Sequence, residues 1–251
     1  MYPLAHLYFM EQSLAEFSLD KLDDAIVLGS IFPDLVILSG LDWRTSHSLG
    51  MRIWRGLHKS GEEQKHFALG VACHGIEPRG LDYYSDEKYK SFERGYCYEK
   101  ARPLVEDVIE ACSITSRDGW WKAHNFIEMG VELYIYKKRP ELFLNLSEAF
   151  SSSPLITSLI RELSPLLNIN KDLLLECFDR FGRFAVTEPV NAKSMALRYQ
   201  RQIYFRNKVE SININRSGDL IEEGERIVLP DIEDFFHDVK NEMASVRASF
   251  L

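Results

Sequence analysis

The sequence predicts an all-α fold, a multi-helix single domain with a metal site between its helices. Three observations carry this expectation. Apolar residues recur at helical spacing through most of the chain, beginning with Leu4, Leu7, Tyr8, Leu14 and Phe17. The periodic segments are opened by residues that cap helices and closed by Gly or Pro. Imidazoles and carboxylates also fall inside apolar stretches of the first half, where a buried polar group needs a partner.

Taken in order, the first stripe gives a helix over about 4–17. Asp20 caps a second helix that runs to about residue 29, with Pro33 ending it. Residues 62–73 form a third, after the break at Ser60 and Gly61. Residues 75–95 are polar and aromatic and carry Gly75, Pro78 and Gly80, so they read as a long loop, a feature that is often functional. Helices follow at about 98–112, 119–137, 155–166 and 170–185. Another lies within 189–212, where Pro189 suits a first helical turn. A last helix starts at Asp231. The pieces 212–215 and 226–229 would pair as one short β-hairpin around Gly218 and Gly224, near 212–229. The candidate ligands fall in a core of about 1–137, leaving about 138–251 as a helical cap.

Composition narrows the function. Hydrophobic residues make up 45% of the 251, enough for a sizeable core. A formal charge of −8 disfavours broad binding to nucleic acid or to an anionic membrane surface. Cys73, Cys97, Cys112 and Cys177 form no CxxC pair and lie among apolar residues, as reduced thiols of a cytoplasmic protein do. The first Lys is Lys21 and the opening apolar stretch contains His6 and Glu11, which does not read as a secretory leader. The apolar run 25–41 is short for a membrane span and is broken by Pro33 and Asp34, so no transmembrane segment is expected. In 193–208, Lys193, Arg198, Arg201, Arg206 and Lys208 alternate with Tyr199, Tyr204 and Phe205. Such a pattern can bind phosphates or stack bases, but it is more often a solvated amphipathic helix balanced by acidic clusters such as 222–225 and 231–234. No Walker loop, GxGxxG, GxSxG or HExxH occurs, and no adjacent His-Asp dyad.

The chemistry-bearing residues are His6, Asp34, His47, His74, His124 and Glu128. His124 and Glu128 are four apart, so on a helix they share a face and can meet one ion. Each residue has an ordinary explanation: a core histidine for His6, a cap of the next turn for Asp34, a loop histidine for His47, a helix-surface pair for His124 and Glu128. His66, beside Gln64 and Lys65, reads as a surface residue, and His58 and His237 as solvated ones. Jointly the ordinary explanations require separate partners for several polar groups in an apolar first half. A shared zinc ion satisfies them together.

The order of these residues resembles the zinc-dependent phospholipase C superfamily, which includes the zinc single-strand nucleases. The elements are His6, then Gly29-Ser30-Ile31-Phe32-Pro33-Asp34, then His47, then the LGxxxH of Leu69 to His74, then the HxxxE of His124 and Glu128. They span roughly residues 4–132. The resemblance implies an all-helical fold with zinc held between helices. The aspartate that the family places four residues after the LGxxxH histidine is Pro78 here. Glu77 and Asp82 are the acidic substitutes, with Asp82 preferred. A further family histidine falls near Tyr84 and is missing, so one or two ions are expected rather than three.

Two function classes follow. The first is a metal-dependent hydrolase of phosphoester bonds, acting on a small phosphoester or a phospholipid. Asp34, His47 and His74 would hold one ion, and His124 and Glu128 another, with Asp82 or Glu77 contributing. The resemblance gives Asp34 the added role of orienting or deprotonating the attacking water. The second is a non-catalytic helical binding or scaffold protein with a structural metal or none. An open coordination position beside a pocket separates the two.

Overall fold

The structure is a computed structural model that describes residues 1–186 and 190–247, with the backbone alone at 206–207 and 244–247. Among these residues the chain is all-α: fourteen α-helices with short 3-10 and π-helical turns, and no strand. Among the described residues no helix is long and apolar enough to cross a membrane.

In chain order the helices begin with α1 (Pro3–Ser13), α2 (Asp24–Val36), α3 (Trp43–His47), α4 (Gly50–Leu57) and α5 (Glu62–His74). The middle of the chain holds α6 (Tyr96–Lys100), α7 (Val105–Cys112), α8 (Ser116–Lys138) and α9 (Glu141–Ser151). The rest is α10 (Ser153–Leu167), α11 (Lys171–Ala185), α12 (Ala192–Asn207), α13 (Ile214–Val228) and α14 (Ile232–Arg247). Side-chain caps open several of them. Asp23, not Asp20, accepts from Ile26 N–H at α2, and Asn191 forms a reciprocal capping box with Ser194 at α12. The expected first-turn proline, Pro189, lies outside the described residues.

Several sequence expectations need correction. Pro33 does not end α2; it lies inside it. The bond to residue 29 is lost there, but the helix around it is buried, including Ile31, Phe32, Leu35 and Val36, and packing carries the last turn. Residues 214–228 are one helix rather than a hairpin. Leu220, Ile221, Gly224 and Val228 are buried at helical spacing, and Asn213 caps the start. Residues 75–95 are not plain loop, because a π-helical turn spans Tyr83–Glu87. His47 is on a short helix, not in a loop, and α9 is a further helix that the sequence reading did not include. His58 is half-buried against Trp54, and His66 lies 2.5 Å from the capping Asp23.

The described residues cluster in two compact units. One unit comprises Met1–Ala5, Tyr84–Arg139 and Thr187–Phe235. Its main contact is α8 against α13, and glycine sets how closely the two approach. A Cβ on Gly224 would lie 2.5 Å from the Phe126 carbonyl oxygen, and one on Gly130 would lie 2.4 Å from Glu225 N. In the same unit Glu132, on α8, accepts hydrogen bonds from the N–H groups of Leu4 (2.9 Å) and Ala5 (3.3 Å), so a distant carboxylate satisfies the first turn of α1.

The other unit comprises His6–Tyr83, Pro140–Val186 and Phe236–Leu251. Here α2 packs along α5. A Cβ on Gly29 would lie 2.1 Å from the Phe67 carbonyl oxygen, and one on Gly70 would lie 2.6 Å from that of Ile26. This close approach fixes Ser30 beside His74.

Candidate metal centres

In the unit built on α2 and α5, five predicted residues converge. His6 comes from α1, Asp34 from the last turn of α2, His47 from the end of α3 and His74 from the end of α5. Asp82 follows the tight Gly75–Gly80 turn. The side chains of His6, His47, His74 and Asp82 are 0–2% exposed, and that of Asp34 is 26% exposed. Asp34 therefore does not serve as the expected cap of a following turn; it stands on the open side of the cluster.

The contacts divide by carboxylate oxygen. Asp82 Oδ2 lies 3.1 Å from His47 Nε2 and 3.1 Å from His74 Nε2. Asp34 Oδ1 is 3.6 Å from His47 Nε2, and Asp82 Oδ1 is 3.3 Å from His6 Nε2. Despite these distances, Nε2 of His6, His47 and His74 is buried without hydrogen-bond geometry to any partner. Donors at about 2.0–2.2 Å from a tetrahedral ion stand about 3.3–3.6 Å from each other, close to this spacing.

The other ring nitrogens are engaged. His74 Nδ1 meets the Ser30 carbonyl oxygen at 2.6 Å, and His47 Nδ1 meets that of Trp43 at 2.9 Å. A carbonyl can only accept, so Nδ1 carries a proton and Nε2 is the nitrogen that faces the cluster. His6 and His74 stack with centroids 3.7 Å apart and planes at 7°. Asp34, His47 and His74 offer ligand atoms within 4.8 Å of one another, and so do His6, His74 and Asp82. An imidazole holds an ion best in its own ring plane, so the parallel rings of His6 and His74 suit separate ions better than a shared one. His6 faces the second oxygen of Asp82, in reach of a further ion that Asp82 would bridge.

The electrostatics agree with a cation site. Burial, helped by His74, pushes the His6 imidazole down to about 4, keeping it neutral. Burial acts against the charged form of His47 too, but Asp34 and Asp82 outweigh it and push the imidazole up to about 9. Burial would likewise raise Asp34, yet the contact with His47 and the charge on His74 hold it at about 2. A proton on His47 balances the two carboxylates, and a metal ion binding there would have to displace it.

The second group lies in the other unit. Asp86, His124 and Glu128 each offer a ligand atom within 4.8 Å of the others. The four-residue spacing on α8 brings His124 and Glu128 to one face as expected. Their third member is Asp86, on the π-helical turn, rather than Asp82 or Glu77; Glu77 is exposed. Asp86 was not singled out from the sequence, where its only signal is an acidic residue in a tyrosine-rich stretch of a long loop. Tyr98 stacks on His124 at 4.2 Å and 13°, and His124 Nδ1 is buried with no hydrogen bond. Burial lowers the His124 imidazole to about 4, so it too is neutral. The Met1 amino group lies 3.0 Å from Glu128 Oε1.

The remaining signals do not form a site. In α12, Arg198 and Tyr199 are buried, whereas Tyr204 and Phe205 are exposed, so the stretch is not uniformly solvated. The Arg206 side chain lies outside the described residues. Glu223, Glu225, Asp231 and Glu233 pair with Arg226, Lys137, Lys100 and Lys138 rather than with the 193–208 cations. All four cysteines are buried and unbridged.

Comparison with family models, with curated proteins and with solved structures found no match to this chain.

Proposed function

We propose that the chain is a metal-dependent hydrolase of phosphoester bonds, a divergent member of the zinc-dependent phospholipase C superfamily. The observation that carries this reading is the convergence of Asp34, His47, His74 and Asp82 with Asp34 on the accessible side. The five sequence elements of the family supply His6, Asp34, His47, His74, His124 and Glu128 of the two groups, and Asp82 and Asp86 join them from outside those elements. Zinc is the ion that two imidazoles and two carboxylates suit, with manganese or cobalt as competitors. When bound, it would polarise a phosphoryl oxygen and lower the pKa of a coordinated water.

The chain's own residues would do the rest. His47 and His74, held by the Trp43 and Ser30 carbonyls, fix the ligand geometry. Asp82 neutralises charge and ties His6 to the site. Asp34 would accept the proton of the attacking water as its oxygen bonds to phosphorus; the ester P–O bond then breaks, the alkoxide takes a proton from solvent to leave as the alcohol, and Asp34 returns its proton to solvent. A buried, closed ligand shell would instead suit a structural ion in a binding or scaffold protein, and the burial of His6, His47, His74 and Asp82 favours that second reading.

The two separate on activity. Zinc-loaded protein should hydrolyse a phosphomonoester, a phosphodiester, phospholipid or single-stranded nucleic acid, stop on chelation and recover with zinc. Asp34→Asn, assayed at saturating zinc, should lose about 100-fold or more in kcat. A metal-loaded protein inactive on all four substrates selects the structural reading. An Asp34→Asn variant with full metal and full activity removes Asp34 from the reaction.

A further inference from the structure

We propose that Arg94 is an oxyanion-binding residue beside the Asp86–His124–Glu128 group, placed to take a phosphoryl oxygen of the substrate. The inference rests on the reading of that group as a metal centre.

Arg94 is tied to the group through its backbone. The next residue, Gly95, donates its N–H to the Asp86 carbonyl oxygen at 3.2 Å. A Cβ there would lie 2.2 Å from Asp86 N, so only glycine lets the two segments touch. Arg94 itself donates its N–H to Glu99 Oε1 at 3.0 Å and accepts at its carbonyl from Tyr89 N–H at 3.3 Å. The segment carrying it is thus pinned on three sides.

The side chain follows the same direction. Its Cζ lies 4.8 Å from the centroid of Tyr98, the ring that stacks on His124, and 5.9 Å from that of Trp120. The Tyr98 ring therefore contacts both the guanidinium and the ligand imidazole. Its Nε is buried and makes no hydrogen bond. No carboxylate pairs with it among the described residues; Glu99, which holds its backbone, gives its side chain to Arg102 at 2.6 Å. The guanidinium also gives a hydrogen bond to the Tyr98 side chain, while its Nε, on the edge that forks around an oxyanion, has no partner. A half-buried arginine with a stacked face and no carboxylate on its edge suits a bidentate oxyanion, which lysine does not replace. With a divalent ion on Asp86, His124 and Glu128, a phosphoryl group would find positive charge on both sides.

The test is binding of inorganic phosphate to the zinc-loaded full chain, by calorimetry, with metal content measured alongside. Arg94→Gln should weaken phosphate by about tenfold or more with zinc content unchanged, and Arg94→Lys should fall between it and the parent. Three results would overturn the proposal: equal phosphate affinity in Arg94→Gln, no phosphate binding by the zinc-loaded parent, or loss of zinc from Arg94→Gln, which would make Arg94 a support of the metal centre. Phosphate bound through Arg94 by a protein that hydrolyses no ester would leave this inference standing and remove the hydrolase reading alone.

Discussion

The imidazoles of His6 and His74 lie in nearly parallel planes, 7° apart, with 3.7 Å between their centroids. They face different oxygens of Asp82, His6 at Oδ1 and His74 at Oδ2, so their removal should be unequal. His74→Ala should lower the affinity of the α2–α5 unit for zinc by about 100-fold or more, because it deletes a ligand oriented by Ser30. His6→Ala should leave that ion bound. Competition with a chromophoric chelator measures both, and equal losses in the two variants would refute the separation.

On α8, His124→Ala, Glu128→Ala and Asp86→Asn should each reduce metal content, whereas His237→Ala should not. His237 is exposed, and the other three side chains converge. Retention of full metal by Asp86→Asn would leave the HxxxE pair without its third donor.

Glu132 gives a pH effect on stability. Burial, opposed by Arg198 and by the Leu4 and Ala5 N–H groups, pushes its carboxyl from 4.5 up to about 7. Between these values the folded chain holds a proton that the unfolded chain has lost. The contribution is therefore fully present below about 4.5 and declines as pH rises through 7. Glu132→Gln keeps an acceptor for the two N–H groups and removes the titration. Denaturant melts of the two proteins should converge in slope above pH 8 and differ between pH 5 and 7. Parallel stability profiles across that range would show that Glu132 is ionised throughout.

The α2–α5 contact should not tolerate a methyl group. Gly29→Ala would press a Cβ against the Phe67 backbone, which cannot rotate away, and should cost about 1–3 kcal/mol in urea melts. A variant as stable as the parent would mean that the helices separate freely there.

Periodicity and capping made the helical class legible, and the spacing of His124 and Glu128 placed both on one face correctly. The sequence reading also chose Asp82 over Glu77, and Asp82 is the acid buried among His6, His47 and His74. What escaped it depended on tertiary context. Pro33 reads locally as a helix stop, yet buried packing carries α2 one turn further. Residues 212–229 contain two glycines and short apolar pieces that suit a hairpin, but those glycines are where α13 meets other backbone. Asp86 and Arg94 lie in a segment without periodicity, and the tertiary contacts around Gly95 and Tyr98 that bring them to this region leave no local signal.

The central claim is that these buried imidazoles and carboxylates hold metal. Elemental analysis of untagged protein, folded with zinc supplied and then freed of loose ions by gel filtration, tests it directly. One to two zinc ions per chain are predicted. A content well below one per chain under those conditions would contradict the account.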